Sequence, residues 1–443
     1  MGNSLPMRFL TALFLLSMAA EGFCAAPDLD QQIALARRAQ DSHATIELLR
    51  RWLDSRPGDP AAVEELTTLW LRVADFNMAE TSLALSSAPD PGFVARTQAE
   101  ILFKRDEKLA DAIVLLQGPQ DRATRLLLAD YLKRAGRREE QLKTLDALIA
   151  SEGTPALILD RAEARAALDD PEGSLADFFL AASLTPDDEG VKSVRPRYER
   201  LQRAIEAIDA LPSSNQKPAE SLRIAYWWMF AGYPQRAFSP AQSVRAMWPT
   251  SIYAKILETR SLVATGKMDA QTAMRDLQID VNAPLEDDQT RDALISADLD
   301  LAKKPNDPAL LVRRASWLNY WGQMTLAMRD IDAALTAVPT NPEALELAVA
   351  INRKHGNLPA ATSYAEKLVS SKAPRANTAR AFSNLALLAL ETSQLNLALD
   401  FADRSLAEKP NSEAWKTKAA CYTRLGQTAE AADALANAGK VKR

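Results

Sequence analysis

Residues 307–339 read DPALLVRRASWLNYWGQMTLAMRDIDAALTAVP, and this stretch decides the fold. Leu311, Ala315 and Leu318 recur at helical spacing and give a first apolar face. Gly322 breaks the pattern. Ala327, Ile331 and Ala334 then mark a second apolar face, and Pro339 closes the unit. Two amphipathic helices joined by a glycine turn form a hairpin. The alanines keep its two helices close, the glycine permits the tight turn, and the proline stops the second helix. Asn306, Asp307 and Asn341 suit turns and helix caps.

The unit recurs. Pro305, Pro339, Pro374 and Pro410 are separated by 34, 35 and 36 residues, and the text around them repeats as KPNDPALL, VPTNPEAL and KPNSEAW. Gly322 and Gly356 stand 34 apart, as do Ala327 and Ala361. Ala398 and Ala431 follow at 37 and 33, the longer step being absorbed by the loop SSKAPRAN. A period of this length is the mark of a repeat array, in which no single unit buries its own apolar face.

These residues resemble the tetratricopeptide repeat family. Trp415, Ala419, Tyr422, Gly426, Ala431, Leu435 and Ala438 fall where that family places its large, small and turn residues. Phe382, Leu385, Ala386, Ala398 and Pro410 do so in the preceding copy. Upstream the match thins. Val63, Leu66, Trp70, Ala79, Leu83 and Pro91 read as one copy, and Pro57 stands 34 residues before Pro91. Ile158, Ala162, Phe178, Ala181 and Pro186 read as another, with Ser174 in place of the second-helix alanine. Segment 126–148 lacks the small residue after its turn, and 187–220 and 267–304 fit poorly, as divergent hairpins or looser connections. The resemblance implies an all-α, right-handed superhelical solenoid of antiparallel helix hairpins. Three regions are expected: an export signal over 1–26, divergent hairpins over 27–304 and a regular array over 305–443.

The N-terminus reads MGNSLPMRFLTALFLLSMAAEGFCAAPDLDQQ. A basic residue, Arg8, precedes an apolar run from Phe9 to Ala20, and small residues follow, which is the plan of a secretory signal peptide. The run is too short to span a bilayer as a helix. The chain is therefore expected to be exported to a bacterial periplasm or secreted, with no transmembrane span after cleavage. Glu21-Gly22-Phe23 before Cys24 lacks the lead of a lipid-anchored form, which argues against an anchor there.

Composition narrows the function. With 53 basic and 58 acidic residues, the net charge of −5 is mixed and mild, unlike a nucleic-acid-binding face. Two Cys and two His show no metal-ligand spacing. His355 beside Gly356 reads as a helix C-terminal cation, and the acidic stretch LEDDQTRDALISADLDLA (285–302) as a solvated face. No nucleophile elbow, phosphate loop or dinucleotide motif is present, so a non-enzymatic protein without cofactor is expected.

Two groups remain as candidates for binding. The stretch AYWWMFAGYPQRA (225–237) is aromatic-rich in a chain that is 6% aromatic. Gly232, Ala237, Ala225 and Trp228 take repeat positions, and Trp227 is expected to pack on a neighbouring helix. By helical phase Tyr226, Met229 and Phe230 point toward the first-helix face, where they either stack on a sugar or apolar anchor or are covered by an adjacent hairpin or irregular segment. The second group is Arg353, Lys354, Arg380, Lys416 and Arg424 with Asn384, on the first helices of the last three repeats. Some tetratricopeptide proteins hold a peptide carboxylate with Lys, Asn and Arg so placed. Lys416 and Asn384 match in type, although the full set is absent. The resemblance thus implies a scaffold that holds a peptide or protein, here an acidic one. The other reading is an accessory of envelope polysaccharide assembly, touching glycan through the groove aromatics.

Overall fold

In the computed structural model, residues 28–212 and 217–441 are described, and the candidate export signal and Cys24 lie outside them. Among the described residues every regular element is a helix. The chain divides into two compact units between Pro196 and Arg197. The first contains α1 (Leu29–Arg38), α2 (Ser42–Ser55), α3 (Pro60–Arg72), α4 (Phe76–Leu83), α5 (Pro91–Lys104), α6 (Leu109–Leu116), α7 (Arg122–Arg134), α8 (Arg138–Glu152), α9 (Pro155–Ala167) and α10 (Pro171–Leu184). The division falls within α11 (Glu189–Asp209), which carries Pro196 in its interior. The second unit continues with α12 (Pro218–Ala231), α13 (Pro234–Met247), α14 (Ile252–Ala264), α15 (Ala270–Leu277), α16 (Asp288–Lys303), α17 (Pro308–Tyr320) and α18 (Met324–Ala337). It ends with α19 (Pro342–Lys354), α20 (Leu358–Ser370), α21 (Arg375–Glu391), α22 (Leu395–Glu408), α23 (Ser412–Arg424) and α24 (Thr428–Lys440).

The helices start where the sequence supplies a cap. Asp59, Asp307 and Asn341 each accept from backbone N–H groups of the first turn, and Pro60, Pro308 and Pro342 follow at the first helical positions. There a missing N–H costs nothing. Hairpins close by a residue in the left-handed region. Gly322 has φ +90°, and the next residue, Gln323, donates its N–H back to Leu318 O at 2.8 Å, which satisfies a carbonyl at the end of α17.

Within each unit consecutive helices pack as antiparallel pairs, and first helices of neighbouring pairs touch as well. Ala79, Ala112, Ala237, Ala327, Ala361 and Ala398 are fully buried at the small second-helix position. Each lets its hairpin close without a void. Ser174 fills the same role in α10 and donates to Ala162 O at 2.7 Å, and buried Gln141 fills it in α8. Cys421 is buried in the apolar core around Phe382, Leu385 and Phe401. The architecture is an all-α array of tetratricopeptide-like hairpins.

The two poorly matching stretches have distinct structures. Residues 189–209 form one continuous helix of 21 residues rather than a hairpin. Residues 267–304 contain the short α15, a non-helical strap over 278–287, and α16. No helix among the described residues is long and apolar enough to cross a membrane.

Candidate functional site

The aromatic stretch divides between architecture and site. Gly232 takes the turn with φ +83°, while Ala225 and Ala237 are fully buried, as the repeat pattern requires. Trp227 is buried beneath Arg291 and Arg203, whose guanidinium carbons lie 5.2 and 5.4 Å from its ring centre. Met229 and Phe230 are half-buried. Tyr226 differs from the expectation of a ligand-facing ring. It is only 3% exposed, and its hydroxyl donates to Glu286 O at 3.0 Å. The strap covers it. Arg291, 4.8 Å from the ring, closes its other side. With the strap in place Tyr226 is closed off from solvent, while Met229 and Phe230 keep part of their surface exposed.

The strap is held in an unusual way. Side chains of the helices take its main-chain groups. Gln323 accepts from Asp280 N at 3.0 Å and donates to Asp280 O at 2.7 Å, so one amide reads one whole residue. Arg260 on α14 donates to Val281 O at 3.3 Å and to Ala283 O. Trp321, at the end of α17, donates through Nε1 to Pro284 O at 2.8 Å. The carboxylate of Glu286 accepts from the Tyr253 hydroxyl. Ile279, Ala283 and Glu286 are buried, whereas Asn282 and Pro284 are exposed.

Electrostatics at this site are incompletely satisfied. Glu286 Oε2 and Arg260 Nη1 are both buried with no hydrogen-bond partner. Burial pushes the Glu286 carboxyl up, against the Tyr253 hydrogen bond and the charges of Arg260 and Arg291. Burial likewise lowers Arg260, and it raises Tyr253 well above the ordinary phenol value. Leaving a buried polar atom unpaired costs roughly 1–3 kcal/mol. Sequence reasoning missed Tyr253, Arg260, Glu286, Trp321 and Gln323. The poor fit of 267–304 to the repeat was the one signal pointing to them.

The second candidate group lies on α19, α21 and α23. Arg353 donates to Asn384 Oδ1 at 3.1 Å and pairs with Glu391 at 3.1 Å. Arg380 makes a forked pair with Glu346, at 2.5 and 2.7 Å. Asn384 donates to Arg380 O, Lys416 pairs with Glu413 at 3.0 Å, and Arg424 donates to Leu390 O at 2.8 Å. Lys354 donates to Asn319 O at 3.2 Å on α17. The cross-links 353–384, 380–346 and 424–390 join neighbouring first helices, whereas Lys416 pairs within its own helix and Lys354 reaches back to α17. Their internal partners are weak: the Arg380 and Lys416 side chains are both 58% exposed, and such pairs are worth about 0–1 kcal/mol. A ligand carboxylate can replace them. Among the described residues no cluster of three or more His, Cys, Asp or Glu could hold a metal.

No family model matches the chain, and no curated protein matches it in sequence. Solved structures do. Yeast Tom70 is 15% identical, with 79% of this chain and 84% of that chain covered, at a TM-score of 0.30. Cut9–Hcn1 of the APC/C is 12% identical, with 96% and 95% covered, at 0.29. Naa15/Naa10 bound to HypK-THB is 14% identical, with 93% and 77% covered, at 0.26. Superposition at this level carries nothing about function, and the repeat architecture rests on the helices and turns themselves.

Proposed function

We propose that the chain is a non-catalytic scaffold that holds an acidic peptide or protein on its first-helix face, after export to a bacterial envelope. The observation supporting this is the run of exposed cations Lys354, Arg380, Lys416 and Arg424 on α19, α21 and α23, bound by the half-buried Glu346, the exposed Glu413 or main-chain carbonyls. Stacked hairpins present such a face over several repeats, and repeated surfaces of this kind bind extended partners. Export is supported by the residues from Arg8 to Ala20. Glycan handling keeps only Met229 and Phe230 as contacts and has the smaller surface.

The test is capture from native envelope extract with the chain beginning at Pro27. An Arg380→Glu, Lys416→Glu, Arg424→Glu variant serves as the paired bait. The expected result is a partner held by the first bait and lost by the second, with retention weakening as salt rises. A partner held equally by both would overturn the basic face as its site. No partner from any envelope fraction would overturn the scaffold reading.

A further inference from the structure

The strap's contacts are those of a bound peptide. Main-chain carbonyls of Asp280, Val281, Ala283, Pro284 and Glu286 are taken by side chains of the surrounding hairpins, together with the Asp280 N–H. A face that reads main chain accepts more than one sequence, and pockets for alternate side chains supply the selectivity. Here the selective positions are the buried Ile279, Ala283 and Glu286. We propose that Tyr226, Tyr253, Arg260, Trp321 and Gln323 form a peptide-binding cleft, and that residues 279–286 occupy it as a tethered competitor of an extended acidic peptide. This deepens the scaffold reading, on which it rests, by naming a second, occluded site and its ligand class.

Three observations favour a displaceable strap over a fixed part of the core. It is joined to the fold on one side by α15, an eight-residue helix that packs only lightly on α14. Glu286 of the strap and Arg260 of α14 each keep an unpaired buried atom, so closure leaves polar groups unsatisfied that opening would hydrate. The cleft side chains are themselves anchored on helices. Tyr226, Tyr253 and Arg260 belong to α12 and α14, and Trp321 and Gln323 flank the Gly322 turn. Arg260 and Arg291 supply the positive charge that an acidic residue of the ligand would meet.

The experiment uses the full chain with residues 279–286 replaced by Gly and Ser at equal length. The probe is a fluorescent synthetic peptide of residues 278–287, followed by anisotropy. The expected result is saturable binding at least tenfold tighter than to the unmodified chain, whose own strap competes at high effective concentration. Adding Arg260→Met and Trp321→Phe should weaken that binding at least tenfold. A replaced chain with unchanged helix content and no saturable binding would overturn the cleft. If the replaced chain loses its helices, hydrogen exchange on the unmodified chain decides. Amides of Asp280, Ala283 and Glu286 should exchange at least tenfold faster than the buried amides of α14. Equal protection would make the strap a fixed element and overturn the proposal. Peptide binding without any captured partner would sustain the cleft and sink the envelope scaffold; capture without peptide binding would do the reverse.

Discussion

The turn residues carry the period of the whole array. Gln40, Ala74, Glu107, Gly136, Asp169, Gly232, Gly266, Gly322, Gly356, Ser393 and Gly426 all have positive φ. Most steps between neighbours, such as 40 to 74 and 322 to 356, span 33 or 34 residues. A left-handed conformation costs a non-glycine residue about 1–2 kcal/mol. Ala74 is exposed at φ +60°, so Ala74→Gly relieves that cost and loses no packing. Glycine's greater unfolded freedom takes back about 0.4–1 kcal/mol, and the expected net gain is about 0.5–1 kcal/mol in urea denaturation. Gly322→Ala should lose about 1 kcal/mol or slightly more for the same backbone reason. An added Cβ there meets no atom within 4 Å, so the loss is conformational and not a clash. Equal stability of Gly322→Ala and the parent chain would refute this account.

At the same scale, Glu286 makes stability depend on pH in a direction that can be worked out. Its carboxyl is pushed up in the folded state by burial, the groups facing it being Tyr253, Tyr226, Arg260 and Arg291. Below the unfolded carboxyl value of about 4.3 both states are protonated and no penalty arises. As pH rises through the folded value, the native state must ionise a desolvated group, and stability falls. Glu286→Gln should therefore raise the melting temperature at pH 7 and leave it unchanged at pH 4. Thermal scans at the two pH values check this, and a gain at pH 4 equal to that at pH 7 would contradict it.

Among the elements, a buried charge cluster ties four helices. Arg314 on α17 makes a forked pair with Asp330 on α18, at 2.7 and 2.8 Å, and reaches Asp298 on α16 at 2.7 Å. Asp298 in turn accepts from Ser251 Oγ and from Tyr253 N at the start of α14. The same device recurs in the first unit, where Arg161 on α9 pairs with Asp177 on α10 and Asp146 on α8. Arg314→Met leaves two buried carboxylates facing each other without a cation. A loss of about 3–5 kcal/mol at pH 7 is expected. The loss should shrink toward pH 4, because burial already raises Asp330 and the orphaned acids protonate on acidification. Denaturant midpoints at both pH values measure it; a loss independent of pH would mean that packing, not charge, dominates.

These clusters also show which parts of the fold were legible. Small alanines and glycine turns reveal hairpins because sterics admit few other residues, and the last repeats have them at nearly every position. Upstream, Ala74, Glu107 and Asp169 hold turns without glycine, and Gln141 and Ser174 replace the small residue by forming hydrogen bonds. A ruler based on glycine and proline slips there. Pro91, read as closing a copy, opens α5 at its first turn. The aromatic stretch was legible as repeat architecture, and so was the alternative that an irregular segment covers Tyr226. Which segment does so was not, because Gln323 and Arg260 meet the strap across 43 and 23 residues of chain. A pattern of local period holds no record of such pairs.

For the whole molecule, the consequence of stacked hairpins is that perturbation travels by neighbours. Within each unit each pair buries its apolar face against the next, so stability is close to a sum of hairpin and interface contributions. The damage done by Arg314→Met should then be concentrated in α14, α16, α17 and α18, which the cluster joins directly, and weaken toward α23. Helices α2 to α7 belong to the first unit and the cluster to the second. Hydrogen exchange at pH 7 separates this from a globally cooperative fold. The expected pattern is faster exchange in α16–α18, a smaller change in α21, and unaltered protection in α3 and α5. If protection fell by the same factor in α3 as in α17, the two units would unfold as one body and the nearest-neighbour account would be wrong. If it fell only in the second unit, a partner bound on α19–α23 would be expected to restore protection in α17 before it affects anything in α5, since linkage stabilises first the hairpins that the ligand touches.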